Sequence, residues 1–439
     1  MPGFREAHLR NATYYETVLR RVRELYLKGN ESAQIAVSLI DQEWINIQAG
    51  QKWAMSYSAQ DRSAMQLCSD YANAGAYVLE WREHPHVRIR WRESALEAAR
   101  SLKWKSSESA HLSDLGLAYE DLGELPKAIE YFKESLSILQ MISDRQGEGN
   151  LLINLGNAYC GLGEFRQGIE FQKQALNCLR EIGDLRGEGA ALGSLGNAYF
   201  QTGHFHEAIE FYEKRLLIAQ TLGDQRGESN ALGNLGNVYA AIDEPNKAIE
   251  FYEKGMILRL RLRDLQGQGI LLGNIGSVYM DLGEPRKAIE FHKQYLAIAR
   301  EIGNKTGEGN ALINLGIAYK SLGDISSSIT YYEQALAICL EIKDKRGEGV
   351  ALGNLGNIYY GLGNLPKAIT LYNRQLQISR AIEDRLEEGN ALYNMSLVLD
   401  RLDDRAQAIE HAKAALKVYV EIGDPWAIKV QSQLDEWNN

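Results

Sequence analysis

Asparagine recurs at 40-residue intervals in three rows along this 439-residue chain. The first row contains Asn154, Asn234, Asn274, Asn314, Asn354 and Asn394, with Ser194 in its gap. The second contains Asn157, Asn197, Asn237 and Asn357, interrupted by Ser277 and Ile317, and the third contains Asn150, Asn230, Asn310 and Asn390. An asparagine side chain both donates and accepts hydrogen bonds, so such rows suit the backbone of an extended peptide.

A second interpretation of the rows stays open, in which asparagine at two of these positions is general to the repeated unit and supports helix packing. The third row is less general and favours a ligand-binding role. The residues that we predict to line a ligand-binding groove are Asn150, Asn154, Asn157, Asn197, Asn230, Asn234, Asn237, Asn274, Asn310, Asn314, Asn354 and Asn357.

One stretch, from Arg82 to Arg92, interleaves basic and aromatic residues. Such patches can bind nucleic acid. Arg88, Arg90 and Arg92 fall on different faces of a helix, however, around the apolar Ile89. A solvated helix face is therefore the favoured interpretation.

No other group of residues indicates metal binding or catalysis. His204 and His206 lie in one turn, but two imidazoles without a third ligand do not make a zinc site. Gly187–Gly189 and Gly267–Gly269 imitate nucleotide-binding loops, yet each follows a helical pattern instead of a strand. No Ser/His/Asp or Cys/His set stands out. We therefore predict a protein that is not an enzyme and has no metal or cofactor.

The asparagines belong to a 40-residue unit that is written eight times between Ser101 and Val420 without insertion or deletion. A leucine column contains Leu115, Leu155, Leu195, Leu235, Leu315 and Leu355. The next column contains Gly116, Gly156, Gly196, Gly236, Gly276, Gly316 and Gly356, and three residues further stand Tyr119, Tyr159, Tyr199, Tyr239, Tyr279, Tyr319 and Tyr359. A fixed period of this length indicates a solenoid, in which stacked repeats build one long binding surface.

Each unit is predicted to fold as a hairpin of two helices, A and B. In the second unit Asp144 can N-cap helix A, Gly161–Gly163 breaks it, and Gly183 can end helix B in the left-handed conformation. Gly156 lies inside helix A, where glycine costs about 1 kcal/mol relative to alanine. We therefore expect helix B of the same unit to approach closely there, and Tyr159 to fill the joint between neighbouring units.

Composition is typical of a large buried core, with 45% hydrophobic residues and a net charge of −10. The first hundred residues are almost neutral, so the repeats carry the negative charge, which disfavours nucleic-acid binding. The four cysteines form no C-x-x-C pair, and five counterparts of Cys178 are Ile or Leu, so we expect unreactive thiols in a reducing compartment. No secretory signal or membrane-length apolar run is visible, and a cytoplasmic location is expected.

The repeated pattern resembles the tetratricopeptide repeat (TPR). In the first unit the matching residues are Leu115, Gly116, Tyr119, Gly123, Ala128, Ile129, Glu130, Phe132 and Leu136. The extended 40-residue form is similar to repeats of kinesin light chain, spindle-orientation adaptors and bacterial regulatory proteins. The resemblance implies an all-α, right-handed superhelical solenoid with helix A lining the concave face. The sequence departs from the pattern at Asp243, in the fourth turn, and at Ser396, Leu399 and Asp403 in the last unit.

Four regions are predicted: an N-terminal helical segment (1–60), a degenerate TPR-like unit (61–100), the eight units (101–420) and a capping helix (421–439). The first region is expected to contain helices from Tyr14 to Lys28 and from Ala33 to Tyr57. In the second, Ile89, Trp91 and Leu96 keep the spacing of 40, whereas Tyr77 indicates a first helix shifted by two residues. The capping helix, Pro425–Trp437, is expected to shield the last unit, with Trp426 as its main contact.

The segment from Asp41 to Ala54 resembles the helical connection between the ATPase and the repeat sensor of bacterial STAND regulators, although no G-x-x-x-x-G-K-[ST] loop occurs in the sequence. The favoured function is a protein- or peptide-binding scaffold, typical of bacterial regulation, that uses the concave groove. The alternative is a ligand-sensing module of a STAND-type signalling or defence system. A membrane partner is not expected, and a homodimer through the N-terminal module is a further possibility.

Overall fold

The computed structural model describes residues 2–27, 30–83 and 85–438, and in these ranges the chain forms α-helices and no strands. The predicted all-α fold of stacked helix hairpins is confirmed. The chain divides into two compact units, Met1–Asp224 and Gln225–Asn439. None of the helices in the described ranges has the length and apolar character needed to cross a membrane.

The first unit begins with five helices that precede the regular repeats: α1 (Pro2–Leu27), α2 (Asn30–Tyr57), α3 (Arg62–Ala74), α4 (Ala76–Arg82) and α5 (Pro85–Leu102). Three hairpins follow: α6 (Lys105–Asp121) with α7 (Leu125–Met141), α8 (Arg145–Gly161) with α9 (Phe165–Glu181), and α10 (Leu185–Gln201) with α11 (Phe205–Leu222).

The second unit contains five hairpins and a final helix. They are α12 (Gln225–Ala241) with α13 (Pro245–Arg261), α14 (Leu265–Asp281) with α15 (Pro285–Glu301), α16 (Lys305–Ser321) with α17 (Ile325–Ile342), α18 (Lys345–Gly361) with α19 (Leu365–Ala381), α20 (Arg385–Arg401) with α21 (Arg405–Glu421), and α22 (Trp426–Asn438). In every hairpin the first helix is helix A and the second is helix B.

The helix ends follow the predicted capping pattern. Asp144 accepts a hydrogen bond from the Gly147 amide at 2.9 Å, and the same bond recurs at Asp184, Asp264, Asn304, Asp344 and Asp384. Gly183 ends helix α9 with φ of 70°. Asp243 and Asp403, which replace glycine in the turn between helices A and B, adopt the same left-handed conformation with φ of 59° and 62°. The turn geometry is thus retained where its usual residue is lost.

The glycine inside each helix A marks the crossing of the two helices. A Cβ atom at Gly236 would lie 2.5 Å from Cε1 of Tyr252 on helix B of the same hairpin, too close for any side chain. Tyr159 stacks on Phe171 of its own hairpin, with ring centroids 5.3 Å apart, and shares a core cluster with Ile129 of the preceding one. The close approach and the filled joint agree with the expectation from sequence.

The N-terminal helices differ from the prediction in their bounds. Helix α1 begins at Pro2, well before Tyr14, because Ala12 lies in a core shared with α2 and α3. The Tyr71 hydroxyl, on α3, donates to the Ala12 carbonyl at 2.7 Å. The expected single helix around Tyr77 is broken at Gly75 into α3 and α4. Lys28, at the predicted end of the first helix, lies outside the described residues.

Helix α22 packs on the last hairpin through residues other than the one predicted. Val430 and Leu434 are buried in a cluster with Ala391 and Met395. Trp426 remains 44% exposed, and its ring meets Tyr393 edge to face. The prediction that Trp426 is the main shielding contact is therefore wrong, because the first turn of α22 lies at the rim of the cluster and only its later turns face the hairpin.

Candidate ligand-binding groove

The three asparagine rows lie on the A helices, and their side chains differ in exposure. Members of the first row are half-buried, including Asn154, Asn234 and Asn394. In the second row Asn157 and Asn197 are exposed, and Asn237 and Asn357 are half-buried. The third row has asparagine in every other hairpin and an apolar residue in the hairpins between. The rows therefore follow one face of each helix A, and the chemistry differs from row to row.

The second row holds helix A against helix B. The Oδ1 atoms of Asn197, Asn237 and Asn357 each accept a hydrogen bond at 2.7 Å from a tyrosine hydroxyl, those of Tyr212, Tyr252 and Tyr372. Asn157 accepts one from Gln172 at 3.0 Å. Burial raises the pKa of the three phenols, so they remain protonated donors. The carbonyl oxygens of this row thus serve packing, as the second interpretation of the rows proposed.

The interruptions of the second row support this pairing. Where Ser277 replaces asparagine, helix B carries His292 instead of tyrosine, and burial lowers the pKa of that imidazole to about 4. Where Ile317 replaces asparagine, helix B still carries a tyrosine, Tyr332, but the hydroxyl of Tyr332 has no hydrogen-bond partner among the described residues. The side chains at the two positions therefore depend on each other, a relation that the rows on helix A alone do not reveal.

The third row occupies alternate hairpins. Asn230 accepts a hydrogen bond from Arg259, and Asn390 accepts one from the Tyr419 hydroxyl at 2.8 Å. Asn150 and Asn310 are exposed. The residues at the same position of the intervening hairpins are Ala190, Ile270 and Val350. The row thus repeats every 80 residues, which makes the face alternately polar and apolar.

A cavity of about 580 Å³ opens on the A helices of the second unit, along α14, α16 and the first turns of α18. Asn274, Asn310 and Asn314 line it together with the apolar Ile270 and Ile313. The Nδ2 atom of Asn274 also donates to Asn237 of the preceding hairpin at 3.1 Å, and that of Asn354 donates to the carbonyl of Val350 at 3.0 Å. Three of the twelve predicted site residues therefore share one cavity.

A second pair of positions, one on helix A and one on helix B, differs in side-chain size from hairpin to hairpin. In what we call Gly-type hairpins, a glycine on helix A leaves room for a large residue of helix B, and the pairs are Gly193 with Arg215, Gly273 with Tyr295, and Gly353 with Gln375. In Ala-type hairpins a bulky residue on helix A shares a core cluster with an alanine on helix B, and the pairs are Ile153 with Ala175, Ile313 with Ala335, and Tyr393 with Ala415. Sequence reasoning missed these pairs, although their opposite sizes were a visible signal.

The basic stretch is engaged within the protein. Arg88 pairs with Asp121 at 2.5 Å and Arg92 with Asp114 at 2.6 Å, and both arginines are buried. The expectation of a solvated face is therefore wrong for these two residues, because carboxylates of α6 draw them inward. Arg90 is exposed as expected, and His84 of the same stretch lies outside the described residues.

The remaining candidate groups show no reactive geometry. His204 contacts the Thr202 hydroxyl through Nδ1 at 3.0 Å, and the described residues include no cluster of three or more potential metal ligands. Burial raises the pKa of the Cys68 thiol to about 12 and that of Cys339 to about 11. The Cys178 thiol is buried and contacts the carbonyl of Arg145. The thiols are thus protonated at neutral pH, and the thiolate is the reactive form.

Comparison with solved structures identifies proteins of the same fold. A STAND signal-transduction ATPase with a tetratricopeptide repeat sensor, from Pyrococcus horikoshii, is 15% identical over 96% of this chain and 64% of its own, with a TM-score of 0.57. The apo quorum sensor NprR from B. thuringiensis is 13% identical over 80% of this chain and 98% of its own, with a TM-score of 0.53. The repeats of a putative kinesin light chain from Podosopora anserina give 18% identity over 44% of this chain and 95% of their own, with a TM-score of 0.39.

None of the curated proteins searched matches the sequence significantly. The tetratricopeptide repeat family model matches residues 107–181, 147–221, 187–256, 268–341 and 348–419. These segments together span well over half of the chain and coincide with the helix hairpins described above. The chain therefore belongs to the tetratricopeptide repeat family.

Proposed function

We propose that this protein is a non-catalytic binding module that takes an extended peptide, or an extended segment of a partner protein, along its A helices. The observation that carries the proposal is the cavity on α14, α16 and α18, where Asn274, Asn310 and Asn314 stand beside Ile270 and Ile313. Amide side chains can pair with both the N–H and the C=O groups of a peptide backbone. Apolar residues between them can receive its side chains.

The proposed binding role extends to bacterial regulation. A bacterial protein of similar fold, the quorum sensor NprR, supports it by its described role, and the Pyrococcus signal-transduction ATPase with a repeat sensor supports a regulatory role in general. The second candidate function is the sensor module of a STAND-type system. It is favoured by the breadth of the STAND superposition, which covers 96% of this chain and so extends beyond the repeats to its N-terminal helices.

The test selects nonapeptides from a random immobilised library with the full chain and measures the dissociation constants of the selected peptides in solution. The variant Asn274→Ala/Asn314→Ala removes two amides from the cavity. We expect each lost hydrogen bond to weaken binding by about 1 kcal/mol. The two losses together should raise Kd roughly 30-fold. The matched control is Asn46→Ala, because that exposed amide donates to Glu43 of its own helix α2 and lines neither cavity of the A helices.

A selection that enriches no peptide contradicts the proposal, as does an equal Kd for the variant and the control. Thermal unfolding of both variants shows whether they are folded to the same extent. The sensor candidate is tested by adding a selected peptide to the chain mixed with a separately encoded STAND ATPase core. A nucleotide-hydrolysis rate that responds to the peptide favours it, and an unchanged rate favours the scaffold.

A further inference from the structure

A smaller cavity, of about 270 Å³, lies on the A-helix face of the last two hairpins beside the first turn of α22. Its polar wall contains Gln375, Glu387, Asn390 and Asn394, and its aromatic wall contains Tyr393 and Trp426. Glu387 is the one charged residue among the described residues that line it. The cavity therefore combines a single negative charge with amides and an aromatic surface.

Glu387 is exceptional in the repeat. The same position holds glycine in the six preceding repeats, namely Gly147, Gly187, Gly227, Gly267, Gly307 and Gly347. A Cβ atom at Gly347 would lie 2.6 Å from Sγ of Cys339, whereas the residue corresponding to Cys339 in the last hairpin joint is the smaller Ser379. Glu387 is thus a charged side chain at a position where the six preceding repeats have none.

Two amides hold the Glu387 carboxylate, and no cation neutralises it. Gln375 donates to Oε2 at 2.6 Å, and Asn390 donates to Oε1 at 3.4 Å. Neighbouring carboxylates are paired, for example Glu388 with Arg380 and Arg385. Glu387 forms no ion pair with any residue that the structure describes. Its charge is therefore available to a ligand.

Gln375 provides an unsatisfied acceptor beside this charge. Only 2% of this residue is exposed, and its amide lies flat over Gly353, the glycine of this Gly-type hairpin. Because a carboxylate accepts hydrogen bonds, Nε2 must face Glu387. Oε1 then has no hydrogen-bond partner within the described residues. A buried acceptor without a donor is uncommon and costs free energy, and this one belongs to a side chain that lines the cavity.

The aromatic wall completes the site. The rings of Tyr393 and Trp426 meet edge to face with centroids 6.0 Å apart. The Nζ atom of the exposed Lys429 lies 4.1 Å from the Trp426 ring centroid, outside the cavity lining. Aliphatic stems of long cationic side chains pack well on such rings while their charged ends reach polar partners.

We propose that this cavity binds the lysine or arginine side chain of an extended peptide that occupies the groove. The cationic end reaches the Glu387 carboxylate and the Oε1 atom of Gln375, and the aliphatic stem lies against Tyr393 and Trp426. This inference rests on the proposed peptide-binding function and adds the charge of the ligand at one position. It also explains why Gln375, Glu387 and Tyr393, each different from its counterparts in the other repeats, meet in one cavity.

The experiment uses four pools of N-acetylated, C-amidated nonapeptides with lysine, arginine, norleucine or glutamate fixed at the centre and uncharged residues elsewhere. Binding to the full chain is measured by fluorescence anisotropy. We expect the lysine and arginine pools to bind about tenfold more tightly than the norleucine pool, because a hydrogen bond to a charged group contributes more than a neutral one. Glu387→Gln should reduce that preference to within about twofold without weakening the norleucine pool.

Glu207→Gln, which removes one exposed carboxylate from the first turn of α11, is the matched charge control and should retain the full preference. Glu387→Gly restores the residue of the other repeats, so it guards against a folding defect and should also lose the preference. Equal affinity of all pools for the wild type, or a preference that survives both Glu387 variants, overturns the inference. If no pool binds at all, the proposed function fails with it. If the norleucine pool binds and depends on Asn274 and Asn314 but lysine gives no advantage, only this inference fails.

Discussion

The adjacent hairpins α14–α15 and α16–α17 have the same plan but fill their interiors in opposite ways. The first is a Gly-type hairpin, in which Tyr295 of helix B covers Gly273. The second is an Ala-type hairpin, in which Ile313 of helix A shares a core cluster with Ala335 of helix B. Both still close at the crossing glycine, where Gly276 and Gly316 lie against the rings of helix B.

The repeat thus fixes the backbone of each hairpin and leaves two pairs of side-chain positions to vary. One is the pair that distinguishes the Gly-type from the Ala-type hairpin, and the other lies at the crossing, where it is Ser277 with His292 in the first hairpin and Ile317 with Tyr332 in the second. Since each hairpin packs mainly on its neighbours, such pairs can change in one repeat without disturbing distant ones. Groove chemistry can thus diverge along a uniform scaffold.

The largest expected effect comes from breaking the pair that distinguishes the Ala-type hairpin. Ile313→Gly removes a buried side chain and places glycine within a helix, which together should cost about 4 kcal/mol. Ala335→Tyr alone should cost roughly 1–3 kcal/mol by overpacking. The double variant reproduces the Gly273 and Tyr295 pairing and should recover most of the loss. Chemical denaturation of the four proteins measures the coupling.

Simple addition of the two single-variant losses in the double variant would contradict paired replacement. Hydrogen exchange provides a second check. The amides of α14 to α18 should lose protection in Ile313→Gly more than those of α20 and α21, because coupling is strongest between neighbours. Uniform loss along the second unit would show that the hairpins unfold together.

The crossing pair of the Gly-type hairpin should make stability depend on pH. Burial lowers the pKa of His292 to about 4 in the folded protein, below the ~6.5 of an unfolded histidine. The unfolded chain therefore binds a proton first as pH falls, and stability decreases from about pH 6.5 to about pH 4. At pH 5 this group should reduce stability by roughly 2 kcal/mol relative to neutral pH.

The variant Ser277→Asn/His292→Tyr installs the pair seen at Asn237 and Tyr252 and should remove this part of the acid sensitivity. Denaturation at pH 7 and pH 5 gives the difference for each protein. The buried His111, whose pKa is lowered to about 3 by burial and by Arg92, is present in both and cancels. An identical loss of stability in the two proteins would show that His292 does not titrate in this range.

In the Ala-type hairpin, Ile317→Asn should supply the partner that the Tyr332 hydroxyl lacks. Ile317 is 39% exposed, so little apolar contact is lost, and the nearby Ser328 hydroxyl donates to the Gly316 carbonyl instead. We expect the free energy of unfolding to rise by about 1 kcal/mol, the typical net contribution of one hydrogen bond. The paired variant Ile317→Asn/Tyr332→Phe should show no gain. Equal denaturation midpoints for Ile317→Asn and the wild type would argue against the pairing rule.

The smallest effect concerns the turns that end the two hairpins. Gly303 follows α15 with φ of 69°, whereas Lys343 follows α17 with φ of 60° in the same left-handed conformation. Lys343→Gly removes the strain of a Cβ atom in the left-handed conformation but increases the conformational entropy of the unfolded chain. The free energy of unfolding should rise by about 0.5 kcal/mol. Gly303→Lys should change stability in the opposite direction. A shift of the same sign for both variants would refute this account.

The hairpins, their caps and their crossing points could be predicted from the sequence alone. Asp144 and Gly183 mark helix ends through bonds with residues a few positions away, and Gly156 marks a contact that recurs in register. Such features are local or strictly periodic, so one sequence contains their full description. The extension of α1 was missed because its core contact, Ala12 with Tyr71, spans distant parts of the chain.

The roles of the asparagine rows depend on contacts between helices. The Oδ1 atom of Asn197 is engaged by Tyr212 on another helix, while Asn314 faces a cavity, although both sit on the same face of an A helix. The meeting of Gln375 with Glu387 likewise depends on the space above Gly353. Periodicity places side chains on a face, but partners across a joint follow from the distance between helices and the volume of what fills it, and these exist only once the hairpins have packed.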